Sequence, residues 1–217
     1  MVKEGIEMKS LDVNVYKVQM AYFFSDKNEI RSFKLISCLY SQLQDVFRTE
    51  PQSIPIPEDA PGEVPRCVWN DVNTSLTFNK LRLDFSFNVP TKYNWENLYA
   101  HFNTKITTAL EECEVVIDRV GMISEVMSVD DIHDLLKQYV KIEKFNEATE
   151  ANIAWLEKFD SYNVWTNIFI NETNSENKIV FDVNSLPECK LSEQGISACD
   201  SMNKCAEKLK GKMQNVL

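Results

Sequence analysis

Leu81-Arg82-Leu83-Asp84-Phe85-Ser86-Phe87-Asn88-Val89 carries an apolar residue at every odd position and a polar one at every even position. Strict alternation of this kind sets one face of a β-strand on a core and the other in water. The segments on either side extend the pattern. Arg66 to Val89 reads as two or three antiparallel strands, with turns at Asn70-Asp71 and Asn79-Lys80, because Asn and Asp tolerate left-handed backbone. Pro90 ends the sheet segment.

Upstream, Pro51, Pro55, Pro57, Pro61 and Pro65 hold five of the chain's seven prolines. They cannot be helical and predict a stiff connection wrapping the surface; no P-x-x-P stands in a basic or aromatic context that would mark a docking motif. Before them, Ile30, Phe33, Ile36, Leu39, Tyr40, Leu43, Val46 and Phe47 recur at helical spacing and predict an amphipathic helix over 29–48. Leu11 to Phe24 is a long first strand whose apolar parity switches near Val15-Tyr16, the signature of a bulge.

Downstream, Trp95, Leu98, Tyr99, Phe102, Ile106 and Leu110 make a second helix with Asn94 as its cap. Val115 to Met127 is a strand interrupted at Gly121, where a bulge or a close backbone approach is expected. Ser128-Val129-Asp130-Asp131 has capping-box spacing and opens a short helix with Ile132, Leu135, Leu136, Tyr139 and Val140 inward. Strands follow at about 151–159, 163–171 and 178–184, and a closing helix runs from Ser192 through Ile196, Cys199, Met202, Ala206, Leu209 and Met213. Runs of strands separated by single helices predict an α+β fold: antiparallel sheet segments with three to four amphipathic helices. The 217 residues are expected to form a single domain, with two loosely similar halves at 1–127 and 128–217 but no repeat of fixed period.

Composition narrows the function classes. Five glycines, scattered at 5, 62, 121, 195 and 211, leave no clustered Gly for a phosphate-cradling loop. Net charge is −10, and 13 acids against 5 bases between Glu111 and Asp160 put −8 of it in one quarter of the chain. An acidic chain repels phosphate backbones, which disfavours nucleic acid as a partner. Met1 to Gly5 opens no apolar run and no stretch approaches the length of a membrane span, so neither a signal peptide nor a membrane partner is expected. Six cysteines (38, 67, 113, 189, 199 and 205) then read as reduced thiols of a cytoplasmic protein.

Tyr93-Asn94-Trp95-Glu96 opens a helix after a hairpin, and Ile117-Asp118-Arg119-Val120-Gly121-Met122 follows it on a strand. With the Leu76–Phe87 strands before it and the Asp182-Val183 strand and helix after it, this pairing resembles a sporadically distributed family of prokaryotic proteins without established activity. The resemblance runs from Leu11 to the end. It implies a single-domain fold and no particular chemistry. Where the family continues from the Gly into Tyr-x-Asn, this chain has Ile123-Ser124-Glu125.

The chemistry-bearing residues form no complete constellation. His101 and His133 are the only histidines, and neither stands near a nucleophile elbow. Cys189, Cys199 and Cys205, spaced 10 and 6 apart, lack metal-ligand spacing. Asp182 with Glu188-Cys189-Lys190 has the residue types of a D…E-x-K nuclease, which needs two carboxylates for Mg²⁺ and a Lys near the nucleophilic water. Arg119, on an otherwise apolar strand, calls for a carboxylate partner. No cofactor and no metal are expected. The reading that follows is a non-catalytic protein–protein interaction protein, with Asp130, Asp131, Asp134 and Glu143 as the acidic face for a basic protein partner, or with a second copy as a homodimer. The alternative is a metal-dependent nuclease or other hydrolase assembled from residues distant in sequence.

Overall fold

The structure, a computed structural model, describes residues 13–57, 59–90, 93–128, 150–171 and 177–216. In chain order the elements are β1 (Val13–Phe24), α1 (Ser32–Leu43), β2 (Gln52–Ser53), β3 (Cys67–Asn70), β4 (Thr74–Phe78), β5 (Arg82–Asn88), α2 (Trp95–Glu112), β6 (Ile117–Ser128), β7 (Glu150–Lys158), β8 (Tyr162–Asn171), β9 (Lys178–Ser185), α3 (Leu191–Gln194) and α4 (Ala198–Val216). The nine strands of the described residues join one antiparallel sheet in the order β2-β3-β4-β5-β1-β6-β9-β8-β7, so the α+β class read from the sequence is the observed one.

The two halves of the chain build outward from the central β1–β6 pair in the same way. β1 is flanked by β5, β4 and β3, and β6 by β9, β8 and β7, each half ending in a long helix, α2 or α4. The likeness that shows no sequence repeat is thus topological. α1 packs on α2, α2 on α4 and β1, and α4 on β6 and β9, which covers one face of the sheet.

Alternation decides which residues meet those helices. Leu83, Phe85 and Phe87 of β5, Val18, Met20 and Tyr22 of β1, and Val164, Ile168, Phe181 and Val183 of β8 and β9 are all buried. Phe85 lies against Phe102 of α2 at 5.0 Å between ring centroids, and Trp69 of β3 stacks on Phe47 at 4.2 Å. Leu81 departs from the pattern. It is 48% exposed, because its N–H is taken by the Asn79 side chain in the turn before β5.

Several expectations are met in detail. The register between β1 and β6 slips between Val15 and Lys17, leaving Tyr16 as the extra residue of a bulge. Asn94 caps α2 by accepting from Glu96 N at 2.7 Å. The proline-rich connection wraps the surface. It is pinned by Lys80 N donating to Gly62 O at 2.9 Å and by Asn79 Nδ2 donating to Glu63 O at 3.2 Å. The single residue pair of β2, which pairs with Cys67 and Val68, has no sequence signal strong enough to announce it.

Others need correction. The first helix spans Ser32–Leu43 and not 29–48, since the chain tightens into a turn with Val46 N donating to Leu43 O. Its buried stripe is Leu35, Leu39 and Leu43, and Phe33, expected inward, is 79% exposed. The closing helix is two helices. Gly195, with φ of 65°, caps α3 in a left-handed conformation that costs an L side chain energy, and α4 starts afresh behind Ser197, whose hydroxyl accepts from Asp200 N at 3.0 Å. The short acidic helix expected after Ser128 lies outside the described residues.

Between α2, α4 and β1 sits a buried polar network. Tyr22 OH donates to Asn103 Oδ1 at 2.8 Å, Asn103 Nδ2 donates to Tyr99 OH at 3.2 Å, and Tyr99 OH donates to Asn203 Oδ1 at 2.6 Å. Burial raises the pKa of the Tyr22 and Tyr99 hydroxyls well above the usual phenol value, so both stay neutral donors.

Candidate functional site

At one end of the sheet the chain leaves β1 at Phe24 and turns through Ser25 to Asn28. Asn28 locks this turn to the start of β6: its side chain donates to Val116 O at 2.6 Å and accepts from Val116 N at 2.9 Å. α1 then begins at Ser32 with Arg31 at its N-cap, and no side chain caps it and no acid occupies its first turn. The unpaired N–H groups of a first turn carry partial positive charge and favour an anion.

Facing that helix end is the extended segment Ser53-Ile54-Pro55-Ile56, and the space between is a cleft of about 790 Å³ lined by these residues together with Asn28–Phe33, Arg66 and Lys80. A smaller chamber of about 230 Å³ shares Asn28–Arg31 and continues past Lys34 and Leu35 to Cys113–Val115. Phe33 stands out because it sits about 200° around the helix from Leu35, away from the core stripe.

Arg66 is the distinctive residue of the cleft. It is only 6% exposed, and its guanidinium donates to three backbone carbonyls: Ile56 at 3.5 Å, Pro57 at 3.0 Å and Ala60 at 3.3 Å. These bonds hold the proline-rich connection in place. Its Nε is buried with no acceptor, and no carboxylate among the described residues pairs with the charge. Among the described residues the groups that solvate this buried cation are carbonyl dipoles, and it lies in the same cleft as the start of α1.

The cleft offers binding groups and no activated nucleophile. Burial and a hydrogen bond with the Cys38 thiol push the Cys113 thiol up to about 12, which keeps it protonated and unreactive at neutral pH.

Residues singled out from the sequence fall elsewhere. Asp130, Asp131, Asp134, Glu143 and His133 lie outside the described residues. His101 is exposed on α2 beside Phe102. All six cysteines are free, with Cys67 and Cys205 buried and the others half-buried. Among the described residues no three His, Cys, Asp or Glu side chains gather where they could hold a metal ion.

The D…E-x-K set is not brought together. Lys190 pairs at 3.8 Å with Asp118, which also accepts from Ser192 of α3. Asp182 points from β9 to the face opposite the helices, where burial raises its pKa although Asn184 donates to it. Burial lowers the Arg119 pKa and the nearby Glu188 carboxylate raises it, so the expected carboxylate acts as a neighbouring charge, while in direct contact the Arg119 Nε donates to Ser185 O at 3.2 Å and the guanidinium lies 4.8 Å from the Phe23 ring centroid. On the same open face Glu125 bridges Lys17 at 3.2 Å and Lys178 at 3.3 Å and accepts from Tyr16.

Sequence reasoning missed Arg31, Arg66 and the role of Phe33. The only signals available were an arginine directly after Pro65 and a phenylalanine out of phase with Leu35, Leu39 and Leu43. No helix of the described residues is long and apolar enough to cross a membrane. No protein-family model matches the chain, and no curated protein matches it.

Proposed function

We propose that this is a non-catalytic protein–protein interaction protein of the cytoplasm that takes a segment of its partner into the cleft between α1 and the proline-rich connection. The observation that carries the reading is Arg66, a buried guanidinium with no carboxylate paired to it among the described residues, at the wall of a cleft of about 790 Å³. Burying a cation in this state is costly, and a bound partner supplying negative charge offsets the cost. The exposed Phe33 beside it has the character of an interface anchor, since aromatic residues dominate binding energy where they are desolvated by a partner. The acidic stretch from Glu111 to Asp160 contributes solubility in this reading. The described residues do not favour the hydrolase alternative, since Lys190 pairs with Asp118 while Asp182 accepts from Asn184, and no three metal-ligating side chains gather among them.

The test is site-specific photo-crosslinking in the native host. A benzophenone amino acid placed at Phe33 should capture a discrete partner, and one placed at Val72, equally exposed on the distant β3–β4 turn, should not. Identical products from both positions, or none from position 33, would reject the cleft as the partner site.

A further inference from the structure

We infer that Cys38 and Cys113 form a redox modification site, at which a hydroperoxide joins α1 to the end of α2 through a reversible disulfide. The backbone brings the two thiols together. An α-helix gives the carbonyl of Lys34 to the N–H of Cys38, and side chains lean toward the helix N-terminus, so the Cys38 thiol overhangs that carbonyl. The Cys113 Sγ lies 3.6 Å from the same Lys34 O. Cys113 is the C-cap of α2, the helix on which α1 packs, and it is hydrogen-bonded to the Cys38 thiol. A disulfide sets its sulfurs about 2.05 Å apart, and two thiols already in contact from packed helices need only side-chain rotation and a small approach to reach it.

The two sulfurs have different parts. Both residues are half-buried, and Cys113 also lines the chamber of about 230 Å³. Burial, and after it the hydrogen bond with Cys38, push the Cys113 thiol up to about 12, so it keeps its proton and Cys38 is the sulfur that meets the oxidant. Cys38 attacks the peroxide oxygen, the O–O bond breaks, and the other oxygen leaves with a proton as water or an alcohol. The Cys113 sulfur then attacks the Cys38 sulfenic acid. Its S–O bond breaks, and the departing hydroxide takes the Cys113 proton as water. In all, the two thiols lose two electrons and two protons, and the hydroperoxide gains them. At pH 7 a thiol at about 12 is ionised to about one part in 10⁵, which slows the second step. Contact offsets this, since effective molarities of well-placed groups reach about 10⁵–10⁸ M. A dithiol reverses the bond by exchange, in keeping with the transient disulfides of reducing compartments. The other thiols are placed differently: Cys67 and Cys205 are closed off in the core, and Cys199 accepts from Asn103. The bond closes a loop of about 75 residues and fixes α1, one wall of the cleft, on α2.

The test uses the full chain, reduced with dithiothreitol, freed of it and exposed to hydrogen peroxide in equal amount. Alkylation in denaturant followed by mass spectrometry should count six adducts before peroxide and four after, with one peptide pair joined through Cys38 and Cys113. Dithiothreitol should restore all six. Cys113→Ser should stop at a Cys38 sulfenic acid, trapped by dimedone, and Cys38→Ser should take up no dimedone at Cys113. Peroxide should raise the thermal midpoint of the unaltered chain by about 5–15 °C through the closed loop, and leave that of each serine variant within about 2 °C. Six adducts after peroxide, a bond between other cysteines, or one between two chains would overturn the site. Dimedone on Cys113 in the Cys38→Ser chain would overturn the order of attack, and a midpoint unmoved once the bond has formed would overturn the tie between α1 and α2. The adduct count on the unaltered chain needs no variant, so it decides even where a substitution disturbs the fold.

Discussion

Gly121 of β6 lies directly opposite Asn184 of β9, and the Asn184 side chain folds over it to donate to Asp182. A Cβ on residue 121 would fall inside the contact radius of Asn184 Oδ1, with Val183 O 3.6 Å away. The glycine is there for the space above it, on the face opposite the helices, and Ala21 beside it on β1 keeps the same patch low.

Gly121→Ala should therefore destabilise by about 1–3 kcal/mol, the usual cost of overpacking. Asn184→Ala removes the obstacle, so the double variant should lose less than the two single variants together. Urea denaturation of the four proteins measures the cycle. Additive losses would mean the two side chains do not compete for this space.

Asn103 ties three elements together through Tyr22, Tyr99 and the α4 residue Asn203. Asn103→Leu leaves two buried tyrosine hydroxyls short of a partner and should cost about 2–4 kcal/mol. Adding Tyr22→Phe to that variant should recover part of the loss, because the stranded hydroxyl is removed. Thermal melts that show no recovery would place the damage in packing and not in the network.

Alkaline pH should unfold the protein ahead of its peptide chemistry. Burial raises Tyr22, Tyr99 and Tyr162, pushes Cys67 up to about 11 and raises Cys205 further. Each is an acid whose folded pKa lies above its unfolded value, so each contributes stability that is complete below the unfolded pKa. That contribution fades as pH rises, first for the thiols near about 8.5 and then for the phenols near about 10. Denaturation midpoints measured from pH 7 to 11 should fall progressively above about pH 8.5. A flat profile would show that these groups are accessible to solvent in the folded state.

Neighbouring substitutions on β5 should differ sharply. Phe85 is fully buried between Phe47, Phe87 and Phe102, and Phe85→Asp should unfold the protein by placing an unpaired charge in the core, at several kcal/mol. Ser86 faces the other way and shares a hydroxyl hydrogen bond of 2.7 Å with Ser75. Ser86→Asp should cost about 1 kcal/mol, the worth of that bond. Equal melting temperatures for the two variants would contradict the strand register.

The amino-acid sequence alone determined nearly every strand of this protein, the bulge at Tyr16, the Asn94 cap and the parity that buries Phe85 and exposes Ser86. All of these rest on side-chain period or on bonds within a few residues, and such information is written along the chain. The tertiary structure decided what depends on distant segments meeting. It paired β1 with β6 about a hundred residues away, set the Arg119 side chain on a carbonyl and an aromatic ring, and gave Gly121 its reason in Asn184. The cleft belongs to the same class. Arg31, Ser53–Ile56 and Arg66 come from three separate stretches, and the carbonyls that gather around Arg66 do so only after folding, which no spacing in the chain encodes.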